Sequence, residues 1–125
     1  MSEPDSLHEA SSALSTETID NHRAYRSLME ELEAVDWYSQ RIDATDDPDL
    51  KAVLTHNRDE EKEHAAMVLE WLRRRDPVLD RHLRTYLFTD GPLEDIEEEA
   101  ESQESGAGGQ DPSGLGIGPL HDRRR

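Results

Sequence analysis

Apolar side chains recur at steps of three and four along the first long stretch of the chain, at Ile19, Leu28, Leu32, Val35, Tyr38 and Ile42. That spacing lines one face of a helix. It predicts a helix from about Ser15 to Ala44, after a polar, disordered segment over residues 1–14. Thr45-Asp46-Asp47-Pro48 interrupts it. Asp47 is suited to cap a second helix, and Pro48 sits at its first position, where a missing N–H costs nothing. Leu50, Val53, Leu54, Ala65, Val68 and Leu72 mark the inner side of that helix, which runs to about Arg75. A connection this short joins antiparallel neighbours, so the two helices form a hairpin. Asp76-Pro77 opens a third helix, with Val78, Leu79, Leu83, Tyr86 and Leu87 as its stripe and an end near Phe88. Asp90-Gly91-Pro92 reads as a turn, and Leu93 to about Ala100 as one more short helix. The expectation is an all-α domain over residues 15–100: an antiparallel hairpin followed by short C-terminal helices.

Composition makes that domain incomplete. In a chain of 125 residues, 33% are hydrophobic and 35% charged. A single subunit therefore has a thin core, which calls for oligomerisation, metal or covalent staples. Staples are excluded, because there is no cysteine. The same absence removes thiolate metal chemistry and fits a reducing compartment. Any metal must be held by carboxylate, imidazole, carbonyl or water, a set that suits iron, manganese or zinc. The net charge of −16 argues against nucleic acid and anionic membranes as partners and attracts cations. No apolar run approaches the roughly 20 residues of a membrane span. Met1-Ser2-Glu3-Pro4-Asp5 lacks the basic start and apolar stretch of a secretion signal, so a cytosolic protein is expected.

Two positions break the hydrophobic pattern in a way that suggests chemistry. Glu31 shares a face with Leu28, Val35 and Tyr38 on the first helix, and Glu61 and His64 share one with Leu54 and Val68 on the second. A carboxylate on a buried stripe is costly unless paired; metal is one solution and a salt bridge to Arg or Lys another. Glu61 and His64 lie at i and i+3, about 5–6 Å apart at Cβ, so both can reach one ion. Di-iron bundles use one Glu from each of two helices and a Glu-x-x-His from each of two others. This chain carries one of each, half of a site. A two-fold dimer supplies the rest, and the charges balance: two Fe(II) ions against two Glu31 and two Glu61, with two neutral His64 completing the shells. Glu30 and Glu33 flank Glu31 and are either a cation-gathering antechamber or a solvated face. Trp37 and Tyr38 either line the site or pack the core. Glu60 and Glu63 are expected to point outward and pair with basic neighbours. His22, His56 and His82 lack a Glu-x-x partner and read as surface or packing residues. Arg73-Arg74-Arg75 reads as a solvated helix end.

From Asp90 to Asp111 there are nine acidic residues and no basic one, and Ser102 to Gly114 is Gly/Ser-rich. Residues 101–112 are therefore expected to be a disordered linker. It leads to Leu115-Gly116-Ile117-Gly118-Pro119-Leu120. Leu115 and Ile117 face one way in an extended chain, and the glycines allow close approach to a partner. Residues 113–125 thus read as a short peptide that docks apolar knobs into a groove, on a flexible tether.

These segments resemble the encapsulated ferritins, iron-oxidising cargo proteins of bacterial and archaeal encapsulin compartments. Met29-Glu30-Glu31-Leu32-Glu33-Ala34-Val35-Asp36-Trp37-Tyr38 is similar to the family's first-helix motif, and Asn57-Arg58-Asp59-Glu60-Glu61-Lys62-Glu63-His64-Ala65-Ala66-Met67 to its second. His82-Leu83-Arg84-Thr85-Tyr86-Leu87-Phe88 resembles the third helix, and Leu115 to Leu120 the peptide that directs cargo to the shell's inner wall. The resemblance implies a ferritin-like four-helix bundle completed by dimerisation, in a ring of dimers that is commonly a decamer. It implies Glu31, Glu61 and His64 as ferroxidase ligands for two irons per dimer interface, with Tyr38 close to the centre. It places Glu30, Glu33 and Trp37 at the metal entry path, and Leu115, Gly116, Ile117, Gly118 and Leu120 on the encapsulin shell protein. The implied reaction is oxidation of Fe(II) to Fe(III) by dioxygen inside the compartment. Two other functions fit the same residues: a di-metal oxidoreductase that reduces peroxide, and a non-catalytic acidic helical scaffold. His121-Asp122-Arg123-Arg124-Arg125 extends past the docking motif and departs from the family pattern.

Overall fold

The computed structural model describes residues 7–107. A 3-10 turn at Ser11–Ala13 precedes four helices: α1 (Thr16–Ala44), α2 (Pro48–Arg75), α3 (Pro77–Tyr86) and α4 (Leu93–Ala107). There is no strand among the described residues, so the all-α, ferritin-like helical reading holds. The chain divides after Leu72 into two compact units.

The first unit is built on the α1–α2 hairpin. Ser15 starts α1 by accepting the Thr18 N–H on its Oγ at 3.0 Å, which satisfies an orphan amide of the first turn. After Ala44 the chain extends at Thr45. Asp47 then caps α2, its Oδ1 accepting from the N–H of Asp49 at 2.9 Å and of Leu50 at 3.2 Å. The Lys51 ammonium donates to the Ile42 carbonyl at 2.7 Å, tying the end of α1 to the start of α2. Among the described residues, Ala65 and Leu72 are the buried hydrophobic ones, while Leu28, Val35, Tyr38, Leu54 and Val68 are half-buried. Three positions assigned to the inner side from periodicity lie open in the single chain: Leu32 (54% exposed), Leu50 and Val53. The hairpin gives each helix one neighbour, so only a narrow strip of each apolar face is covered.

In the second unit, Asp76 caps α3, accepting from the Val78 and Leu79 N–H groups at 3.0 Å each. Asp80 is buried, clamped between the guanidinium of Arg73 and that of Arg84, the latter at 2.8 Å. Arg73 therefore belongs to a partly buried ion cluster, where the sequence suggested a solvated helix end. Two boundaries also differ from the periodicity. α3 ends at Tyr86, because Leu87 is already extended and Phe88 turns to φ +63°. α4 continues beyond Ala100 to Ala107, so the first part of the expected disordered linker is helical. Tyr86 and the acidic helix α4 interact: burial, then the charges of Glu97 and Glu101, push the phenol above its ordinary range.

Candidate metal centre

Glu31 and Glu61 are equidistant in sequence from Asp46, at the turn of the hairpin. Two antiparallel helices of equal rise place such positions at the same height, and their patterns turn both toward each other. His64 follows Glu61 by one helical turn on the same face. As a result Glu31, Glu61 and His64 each offer a ligand atom, all within 4.8 Å of one another. All three belong to the first unit.

The electrostatics of this cluster fit a cation. Glu31 Oε1 is shut off from solvent and has no hydrogen-bond partner. Leaving a buried acceptor unpaired costs about 1–3 kcal/mol, and more when it is charged. Two carboxylates at this separation also repel by about 3 kcal/mol at an effective dielectric of ~20. A divalent ion removes both costs. Two carboxylates and an imidazole are the donors that iron, manganese and zinc accept. Nδ1 of His64 is the nitrogen nearest Glu61, 3.6 Å from its Oε1, while Glu60 Oε1 lies 3.8 Å from the other nitrogen, Nε2.

The remaining positions singled out from sequence are not members of this triad. Glu30 is exposed and paired with Arg26 at 3.6 Å. Glu33 is exposed. Trp37 is half-exposed and lines an open hollow of about 300 Å³ with Gln40 and Arg41. Tyr38 is half-buried, with the Arg41 guanidinium carbon 5.8 Å from its ring centroid, within cation–π range. Leu115, Gly116, Ile117, Gly118 and Leu120 lie outside the described residues. Glu60 is exposed, as expected, and its basic neighbours are His56 and His64, each at 3.8 Å; sequence reasoning did not name these two, although the i, i+4, i+8 spacing of the three residues signals them.

Comparison with known proteins identifies the family. Residues 6–90 match the family model described as EncFtn-like. The encapsulated ferritin-like protein of Rhodospirillum rubrum is 57% identical over 123 residues, covering 92% of this chain and 87% of that protein. The ferritin-like protein of Thermotoga maritima is 53% identical over 116 residues, 93% of this chain and 98% of its own length. The encapsulin nanocompartment cargo protein EncC of Myxococcus xanthus is 48% identical over 54 residues, covering 43% of this chain and 42% of that protein. Among solved structures, protein ne0167 from Nitrosomonas europaea superposes with a TM-score of 0.70 at 61% identity, over 71% of this chain and 98% of that one. The chain belongs to the EncFtn-like family.

Proposed function

We propose that the protein is a ferroxidase, oxidising Fe(II) to Fe(III) with dioxygen, and that it works as cargo inside an encapsulin compartment. The observation that carries the chemistry is the convergence of Glu31, Glu61 and His64 around a buried carboxylate oxygen that has no donor. One chain offers two carboxylates and one imidazole, too few to hold two irons. A two-fold partner brings a second set, giving four carboxylates and two imidazoles for two Fe(II) ions, with one carboxylate from each pair free to bridge. Iron is the substrate here: each Fe(II) gives up one electron, so a pair supplies two to dioxygen. The protein's part is to fix the separation of the two ions, neutralise their charge and leave positions open for dioxygen. The half-buried Tyr38 lies two turns along α1 from Glu31 and supplies a phenol near the centre. The exposed Glu30 and Glu33, with Trp37, gather cations toward it.

The names of the relatives support the location. One is called encapsulated and another an encapsulin cargo protein. The aliphatic peptide over residues 113–125 is the segment suited to dock on the shell wall, reached by the acidic Gly/Ser-rich stretch before it. On this reading the shell takes the ferric product, and oxidation and storage are divided between two proteins, the cargo acting as a ring of dimers.

The test is aerobic Fe(II) oxidation followed by Fe(III) absorbance, with the wild type beside Glu61→Ala. Rapid oxidation that falls to the uncatalysed rate in the variant supports the proposal. Equal, slow oxidation in both removes it.

A further inference from the structure

His64 stands between two carboxylates of its own helix. Its Nδ1 is 3.6 Å from Glu61 Oε1, and its Nε2 is 3.8 Å from Glu60 Oε1. The second oxygen of Glu60, Oε2, is 3.8 Å from Nε2 of His56. One carboxylate thus lies between two imidazoles, each one turn away along α2. A neutral imidazole has one N–H and one lone pair, on different nitrogens. For His64 to offer its lone pair to a cation on the side of Glu61, Nδ1 must be bare and the proton must sit on Nε2. The group facing Nε2 is Glu60.

We propose that Glu60 is a positioning residue for His64: it receives the Nε2–H once Nδ1 engages a cation, and so fixes both the tautomer and the ring orientation of that ligand. Metal-bound histidines commonly donate their other N–H to a carboxylate, and losing that partner typically costs 10–100-fold in metal affinity. At 3.8 Å the contact is an ion-pair separation rather than a formed hydrogen bond, and a small side-chain rotation closes it. The inference rests on the metal-centre reading above and extends it to a residue that does not touch the ion.

The experiment is a titration of the full-length protein with Zn(II), a redox-inert probe, followed by the ¹⁵N shifts of the His64 ring nitrogens and by calorimetry. Wild type, Glu60→Ala and Glu60→Gln are compared, with helicity checked by circular dichroism. The expected result is a zinc-dependent shift of Nδ1 and a protected Nε2–H in the wild type. In Glu60→Ala the protection is lost and affinity falls about tenfold. Glu60→Gln, which keeps an acceptor oxygen but no charge, recovers most of both. Zinc bound through His64 with equal affinity in the wild type and Glu60→Ala overturns the inference alone. A glutamine variant no better than alanine also overturns it, because the effect is then one of charge and not of position. Zinc that leaves the His64 nitrogens untouched in the wild type overturns the metal-centre reading, and this inference with it.

Discussion

Glu31 sets a conflict between stability and binding at a single atom. Among the described residues its Oε1 is the buried side-chain oxygen without a donor, and it shares a small volume with Glu61. Glu31→Gln removes one of the two repelling charges while keeping the shape. Without metal the variant is expected to be more stable than the wild type, by about 1–3 kcal/mol if the whole unpaired cost is relieved. Adding Zn(II) should then raise the melting temperature of the wild type by mass action and leave the variant nearly unmoved. Thermal melts with and without zinc check this; a wild type indifferent to zinc would count against the site. Asp80 is the opposite case, a buried carboxylate whose two guanidinium partners are both present. Asp80→Ala takes from Arg73 and Arg84 the carboxylate they share, both guanidiniums being partly buried. Breaking a buried pair from one side costs on the order of 3–5 kcal/mol, so a urea midpoint well below that of the wild type is expected, with no direct effect on the triad.

Helix ends show where sequence patterns succeed and where they stop. Asp47 and Pro48 together dictate the start of α2, and the cap is formed as their chemistry requires. Asp47→Ala should cost about 1 kcal/mol, read as a lowered melting temperature. The hairpin and the face shared by Glu31, Glu61 and His64 were legible because they depend on spacing and on one turn signal. The end of α3 was not. Its apolar stripe continues through Leu87, but the backbone leaves helical geometry there and enters the left-handed region at Phe88, which side-chain periodicity does not record. Nor was the length of α4, because Glu101-Ser102-Gln103-Glu104 reads as linker by composition while an established helix propagates through such residues at low cost. Glu60 is exposed and meets basic neighbours, as expected; that these are His56 and His64 was present in the i, i+4, i+8 spacing but was not singled out. Packing of α3 with α4 also sets the acidity of Tyr86, whose phenol is held up by burial and by Glu97 and Glu101. The sign follows from linkage. The unfolded chain ionises first, near the ordinary value of about 10, while the folded phenol stays neutral, so stability falls as pH rises from there. Absorbance titration at alkaline pH should find Tyr86 above the ordinary range, and Glu97→Gln with Glu101→Gln should bring it down.

At the scale of the molecule, the hairpin has more apolar surface than it covers. Met29 and Leu32 beside Glu31, and Val53 and Met67 on α2, are each at least half exposed. If a two-fold copy covers this face, Leu32→Asp should give a helical but unassembled protein that no longer oxidises iron quickly, checked by light scattering beside the oxidation assay. Removing residues 113–125 should do the reverse, sparing oxidation and abolishing recovery with the encapsulin shell; a truncated protein packaged normally would remove the docking role. The equal distance of Glu31 and Glu61 from Asp46 has a consequence of its own. The hairpin behaves as a pair of calipers whose jaws meet only while both arms measure the same length. One alanine inserted into α2 between Pro48 and Glu61 swings the carboxylate about 100° around its axis and opens the jaws. A matching residue added to α1 between Glu31 and Ala44 restores the height but turns Glu31 to the opposite side of the hairpin, so the arms can lengthen and keep their grip only by about seven residues each, two full turns.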